Sequence, residues 1–242
     1  NTTGDGNLAI GASSLYSNIT GGCQTAVGNG ALYKSNCTGF NTAVGYQTLY
    51  ETTIGTCNVG VGSCSLYNNL TGNLNTAVGY LALCSNTDGC HNTAVGAQSL
   101  FKVTKGDRNV GMGWCALRTL TTANDNTAIG HQAMQATTNG DNVAVGTCAM
   151  YANAGGEANV AIGFCASKAG TSSRHNVGIG FRALDSSTSN GNIAIGYQAG
   201  YNQSSGFSNT MIGCRAGYNQ STGDHLVYLG NEAGYNGRGD NT

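Results

Sequence analysis

Bulky and small side chains alternate over three-residue stretches, and these stretches return along the chain at a nearly fixed interval. Asn41-Thr42-Ala43-Val44-Gly45 recurs as Asn75-Thr76-Ala77-Val78-Gly79 and as Asn92-Thr93-Ala94-Val95-Gly96. With substitutions, the segment begins at Asn7, Gln24, Asn41, Asn58, Asn75, Asn92, Asn109, Asn126, Asn142, Asn159, Asn176, Asn192, Asn209 and Leu226. Every step is 17 residues except Asn126 to Asn142 and Asn176 to Asn192, which are 16. Units this short cannot bury a core singly, so a fixed period of this length implies stacked coils.

Numbering each unit from its Asn gives the columns physical meaning. Column 2 is β-branched in all but the first unit, and column 4 is Ile, Val, Leu or Met throughout. Column 3 is nearly always Ala or Gly, so the period of two predicts a short strand with one bulky and one small face. The bulky face is expected inside, and the small face against a neighbouring chain. Gly fills column 5 in all fourteen units, as a tight turn or a positive φ demands. Column 8 is Ala, Ser or Thr and column 9 is Leu or Met in the first nine units, which predicts a second strand. Columns 11 to 17, rich in Asn, Thr, Ser and Gly, read as an outer loop able to absorb both one-residue deletions.

The expected fold is therefore all-β: a parallel β-solenoid, a flattened β-roll of 14 coils of 16–17 residues with two short strands and one outer loop per coil. Residues 1–6 would end a preceding loop, and residues 7–242 would form a single solenoid domain. At about 4.8 Å per coil the stack would be roughly 65 Å long. Its last three repeats form a divergent subregion, because column 9 becomes Gly200, Gly217 and Gly234 and thins the core where a partner would add side chains. The chain starts and stops inside the pattern, which suggests a longer repeat protein or rods joined end to end.

Composition narrows the function. With 39 Gly, no Pro and no Gly-X-Y period, the 242 residues are neither an ordinary globule nor collagen. A net charge of -1 gives no footprint for nucleic acid or an anionic membrane. No apolar run approaches the roughly 20 residues of a membrane span. Asp107, Asp125, Asp141 and Glu157 lie one to a coil, so no carboxylate pair converges for glycoside chemistry. His91, His175 and His225 share column 17, but the nearest two are three coils apart, about 14 Å. No catalytic residue, metal site or cofactor is expected, and the chain is read as non-enzymatic.

Four sets of residues remain as candidates. Asn41, Asn58, Asn75, Asn92, Asn109 and Asn126 would form a structural amide ladder, bonding from coil to coil. Tyr16, Tyr33, Tyr50 and Tyr67, then Tyr151, then Tyr201, Tyr218 and Tyr235 share column 10. They would stack on themselves or, in an alternative reading, bind sugar rings as a carbohydrate module. Ten cysteines without a Cys-x-x-Cys motif suggest a disulfide framework in an oxidising compartment. Cys148 and Cys165 are successive in column 7, Cys84 and Cys90 open and close one loop, and Cys23 faces Cys37, with Cys57 as a competitor for Cys37. Asn1, Asn18, Asn36, Asn69, Asn202 and Asn219 begin N-glycosylation sequons at the start of the outer loop. Ice binding through the column 2 threonines is a third reading, opposed by their expected inward position. Arg238-Gly239-Asp240 is expected by chance in so Gly-rich a chain.

Asn-Thr-Ala-Val-Gly followed by x-x-Ala-Leu resembles the head repeat of trimeric autotransporter adhesins, over residues 7–242. The resemblance implies a left-handed parallel β-roll with three chains about a common axis; related repeats occur in phage and algal-virus fibre proteins. This chain has a longer coil than the bacterial heads, and ten cysteines. The function expected from these readings is a stiff, adhesin-like fibre or filament, extracellular or at a cell or virion surface, whose partners are copies of itself.

Overall fold

The computed structural model describes residues 3–36 and 39–236. The chain divides into two compact units, Asn1–Asn124 and Asp125–Thr242, each of them a parallel β-solenoid. In the first unit the strands are β1 (Leu8–Ile10), β2 (Thr25–Val27), β3 (Thr42–Val44), β4 (Val59–Val61), β5 (Thr76–Val78), β6 (Thr93–Val95) and β7 (Val110–Met112). In the second they are β8 (Thr127–Ile129), β9 (Val143–Val145), β10 (Val160–Ile162), β11 (Val177–Ile179), β12 (Ile193–Ile195), β13 (Thr210–Ile212) and β14 (Val227–Leu229). Among the described residues no helix is long and apolar enough to cross a membrane.

Pairing follows the columns. Thr42, Ala43 and Val44 of β3 face Val59, Gly60 and Val61 of β4. The register survives both short coils, with Thr127 opposite Val143 and Val177 opposite Ile193, so the deletions fall in the loop as expected. At the turn after each strand, Gly45 has φ 140°, and a Cβ there would lie 2.7 Å from the Gly62 carbonyl oxygen of the next coil. Coil-to-coil contact through the backbone leaves room for no other residue.

The expected second strand is not extended. Columns 7 and 9 hold left-handed backbone, as at Gln47 (φ 50°) and Leu49 (φ 52°), so the segment winds as consecutive turns. Such a conformation costs a non-glycine residue on the order of 1 kcal/mol. Hydrogen bonds to the next coil offset it, with Leu49 N–H donating to Ser65 O at 3.0 Å and Glu51 N–H to Tyr67 O at 2.9 Å. The same winding turns the Leu49 side chain fully inside.

The faces of the strand are reversed relative to the sequence expectation. Column 3 is the buried one: Ala26, Ala43, Ala77 and Ala94 are 0% exposed. Columns 2 and 4 point outward. The reason is thickness, since column 3 lies directly against column 8. Even at Gly60 an added Cβ would come within 2.5 Å of Thr48 Cγ2 and 3.1 Å of Ser65 Oγ. Only small residues fit there, and the pleat then sends columns 2 and 4 to the other side. The apolar interior of most early coils is thus one Leu at column 9 with small residues at columns 3 and 8, as with fully buried Leu83, Ala77, Ala82 and Ala94, and the sixth and seventh coils add Val103 and Leu120 from column 12.

The last coils are not thinned. Where column 9 is Gly200 or Gly217, the usually small column 3 carries Met211 or Tyr228. A Cβ on Gly217 would sit 2.5 Å from Met211 Sδ and 3.3 Å from Tyr228 Cδ2. Met211 is fully buried in a cluster with Ala183, Leu184, Ala194, Ala199 and Ala216, and Tyr228 packs against it. The core there is filled from within the chain, so a partner's side chains are not needed.

Candidate interaction face

Reversal of the strand face leaves a large apolar surface in water. Among the described residues, twenty of the twenty-seven exposed large apolar side chains stand on columns 2, 4 and 6. Column 4 supplies Val44, Val61, Val78 and Met112 in the first unit and Ile129, Ile162, Ile195 and Ile212 in the second, each 36–40% exposed. No charged residue occupies column 2 or column 4 in any coil. Soluble chains rarely leave contiguous apolar patches beyond a few hundred Å² uncovered.

Column 6 adds a row of rings that the sequence reading did not single out. In the first unit Tyr46, Tyr80 and Trp114, about half exposed, alternate with Ser63 and Ala97. In the second, Phe164, Phe181 and Tyr197 stack with centroids 5.3 and 5.2 Å apart. Their signal was the recurrence of aromatic residues one position after the invariant Gly. The column 2 threonines also lie on this face, contrary to their expected inward position. Thr25, Thr42, Thr76, Thr93, Thr127 and Thr210 alternate there with Val and Ile, which breaks any ladder of hydroxyls.

The asparagine column is buried and bonded on every side. Asn75 Oδ1 accepts from Asn92 N–H at 2.9 Å, and its Nδ2 donates to Gly89 O at 2.7 Å. Asn41, Asn58 and Asn92 repeat the pattern, Asn109 Nδ2 donates to Ala123 O at 2.9 Å, and Asn126 Oδ1 accepts from Asn142 N–H. A second buried column, column 12, polar except at Val103, Leu120 and Gly170, was missed. Asn86 Nδ2 donates to Asn69 Oδ1 at 2.7 Å and to Gly89 O at 2.9 Å, so one loop carbonyl serves both columns. Column 12 carries no charged residue in any described coil, and this was the available sign of burial.

That column corrects two of the glycosylation candidates. Asn18 and Asn69 are 1% and 0% exposed, and their amide nitrogens donate to Gly21 O and Gly72 O. A glycan cannot be carried there without opening the coil. Asn36, Asn202 and Asn219 are exposed. Asn1 lies outside the described residues, as do Cys37 and the Arg238-Gly239-Asp240 triplet.

The column 10 tyrosines stack face to face. Centroids of Tyr16, Tyr33, Tyr50 and Tyr67 follow at 5.0, 4.8 and 5.2 Å with interplanar angles of 7° or less. Tyr201, Tyr218 and Tyr235 repeat this at 5.0 Å, while Tyr151 stands in the same column, half-buried. Within the two runs the ring faces between neighbours are taken, so edges and hydroxyls are what most of these rings offer a sugar, while Tyr151 stands in its column between Gln135 and Lys168. Arg182 caps Tyr201 at 4.6 Å while bonding Asp185 at 2.9 Å. That bond raises the pKa of the guanidinium.

The nine described cysteines are free thiols, so no pairing of Cys148 with Cys165 or of Cys84 with Cys90 is formed in the structure. Cys165 is buried, and burial with the Cys148 thiol beside it raises its pKa. Burial, with a smaller contribution from Cys64, pushes Cys84 up to about 11. Cys90 Sγ instead lies 3.3 Å from Asn73 N and 3.4 Å from Asp88 O. Cys23 and Cys57 are exposed at the loop end. Among the described residues no three His, Cys, Asp or Glu side chains are grouped to hold a metal ion. Comparison with protein-family models, curated proteins and solved structures finds no match to the chain.

Proposed function

We propose that this chain is a non-enzymatic structural fibre protein, an adhesin-like appendage outside the cell or on a virion, whose copies pack through columns 2, 4 and 6. The carrying observation is the charge-free apolar face, repeated once per coil in both units. Another copy of the chain has the same coil rise by construction, whereas an unrelated partner would have to match it. In the first unit the rings of column 6 stand one coil apart from Ser63 and Ala97, so ridges and hollows alternate as interdigitating surfaces require. The resemblance to adhesin head repeats favours three chains. Exposed Asn36, Asn202 and Asn219 suit a surface that carries glycans, and the stacked tyrosines and amide ladders suit stiffness.

The test needs no ligand: the mass of the native particle is measured by light scattering for the wild type, Val78→Arg and Thr122→Arg. Thr122 is an exposed outer-loop residue. The wild type should be oligomeric, Val78→Arg should weaken association at least tenfold, and Thr122→Arg should leave it unchanged. A monomeric wild type, or equal behaviour of the two variants, would overturn the reading.

A further inference from the structure

Away from the apolar face, the outer loops of the second unit enclose a cleft of about 430 Å³. It exists because one coil lacks a side chain. Column 17 ends each loop in left-handed backbone, with His175 (φ 57°), Ser208 (φ 57°) and His225 (φ 58°). In the coil shortened to 16 residues that place falls to Gly191, at φ 70°. The other short coil keeps a side chain there, Asp141. Gly191 therefore opens a notch between His175 on one side and Phe207 and Ser208 on the other. These flanks are two coils apart, roughly 10 Å along the stack, which is room for one saturated six-membered ring.

The lining has the chemistry such a ring requires. Phe207 is 43% exposed, and His225 of the next coil holds it edge to face at 5.0 Å, so an apolar ring surface is fixed beside the notch. Asn190 Oδ1 accepts from Arg174 N–H at 2.8 Å, and this bond orients the amide. Its Nδ2, the Ser208 hydroxyl and the His175 imidazole have no partner among the described residues. Ser205 Oγ donates to Ser221 O at 3.0 Å and keeps its lone pairs for a ligand. No carboxylate or permanent cation lines the cleft, and the nearby Arg174 and Glu157 neutralise each other at 3.1 Å. A single aromatic face among donors and acceptors, without formal charge, suits a ligand with an apolar C–H face and a rim of hydroxyls.

We infer that the cleft at Gly191 binds a neutral sugar ring, independently of how the fibre assembles. This differs from sugar binding along the tyrosine column, most of whose ring faces are stacked on one another. The full-length protein is titrated with methyl glycosides of glucose, galactose, mannose and N-acetylglucosamine, followed by saturation-transfer NMR, and an array compares neutral with sialylated glycans. At least one neutral glycoside should bind weakly, at about millimolar dissociation constant. Phe207→Ala removes the platform. Gly191→Asn fills the notch with a residue that accepts left-handed φ. Either variant should weaken binding at least tenfold, while Phe40→Ala, on an exposed column 17 ring of the first unit, should change it less than twofold. The inference is overturned if no neutral sugar binds, if only sialylated glycans bind, if neither cleft variant reaches a tenfold loss, or if Phe40→Ala weakens binding as much.

Discussion

The early coils and the last three build the same thin interior from opposite residues. Around Leu83, the bulk comes from column 9 and the neighbouring column 3 residues are Ala77 and Ala94, all fully buried. Around Gly200 and Gly217, the bulk comes from column 3 as Met211 and Tyr228, and column 9 is empty. Tyr228 even places its hydroxyl within 3.2 Å of Gln220 Oε1, so the larger side chain finds a partner for its polar end. Between these two regions bulk at column 9 of one coil is exchanged for bulk at column 3 of the next, as close packing requires, whereas Ser167 and Gly178 leave both places small. Thr48 and Ser99 at column 8 stand against Gly60 and Gly111 of the next coil, where an added Cβ would meet them at 2.5 and 2.6 Å, while the smaller pairings Ser14 with Ala26 and Ser65 with Ala77 keep the alanine.

Moving a late pair into an early coil gives the largest expected effect. Leu83→Gly should cost about 3 kcal/mol or more in unfolding free energy, from lost burial and an unfilled cavity. Adding Ala94→Met should recover at least half of it, measured by chemical denaturation of the full chain. No recovery would mean that the columns are not exchangeable in volume.

The converse exchange is milder. Gly200→Leu places a Cβ 2.8 Å from Met211 Cε and 3.0 Å from Leu184 Cδ2, and overpacking of this kind should cost about 2 kcal/mol. Met211→Ala in the same chain should relieve most of it. Hydrogen exchange confined to the last coils would locate the damage.

The smallest effect concerns the tyrosine column, which is continuous through Tyr67 and then interrupted by Cys84. Cys84→Tyr should insert a ring between Tyr67 and Phe101 and stabilise the chain by about 0.5–1 kcal/mol. It should also change the response to alkali. Cys84 is held neutral in the folded chain up to about 11, against an ordinary value of 9.0. The unfolded chain therefore ionises first, and folded stability should fall as pH rises from about 9 to about 11. Melting temperatures across that range should decline less steeply in Cys84→Ser than in the wild type.

The period, the parallel in-register stacking and the loop placement of both deletions were legible in the sequence, because each depends on spacing along the chain. The Asn ladder was legible for the same reason: an amide at one column meets its copies when coils stack. Which face of the strand lies inside was not legible. Thr42 and Val44 share one face and Ala43 the other under either assignment, and a preference for bulky residues inside chose wrongly. The choice belongs to tertiary structure, because columns 7 and 9 wind left-handed and bring column 8 so near column 3 that only small residues fit between them. That same closeness turns Val44, Val78 and Ile162 into water. Sequence by itself determined that the chain would coil, since a repeat of hydrogen-bonding strands has one cooperative way to stack. The distance across the coil, set by backbone dihedrals that no column composition announces, decided what each coil would hide and what it would offer.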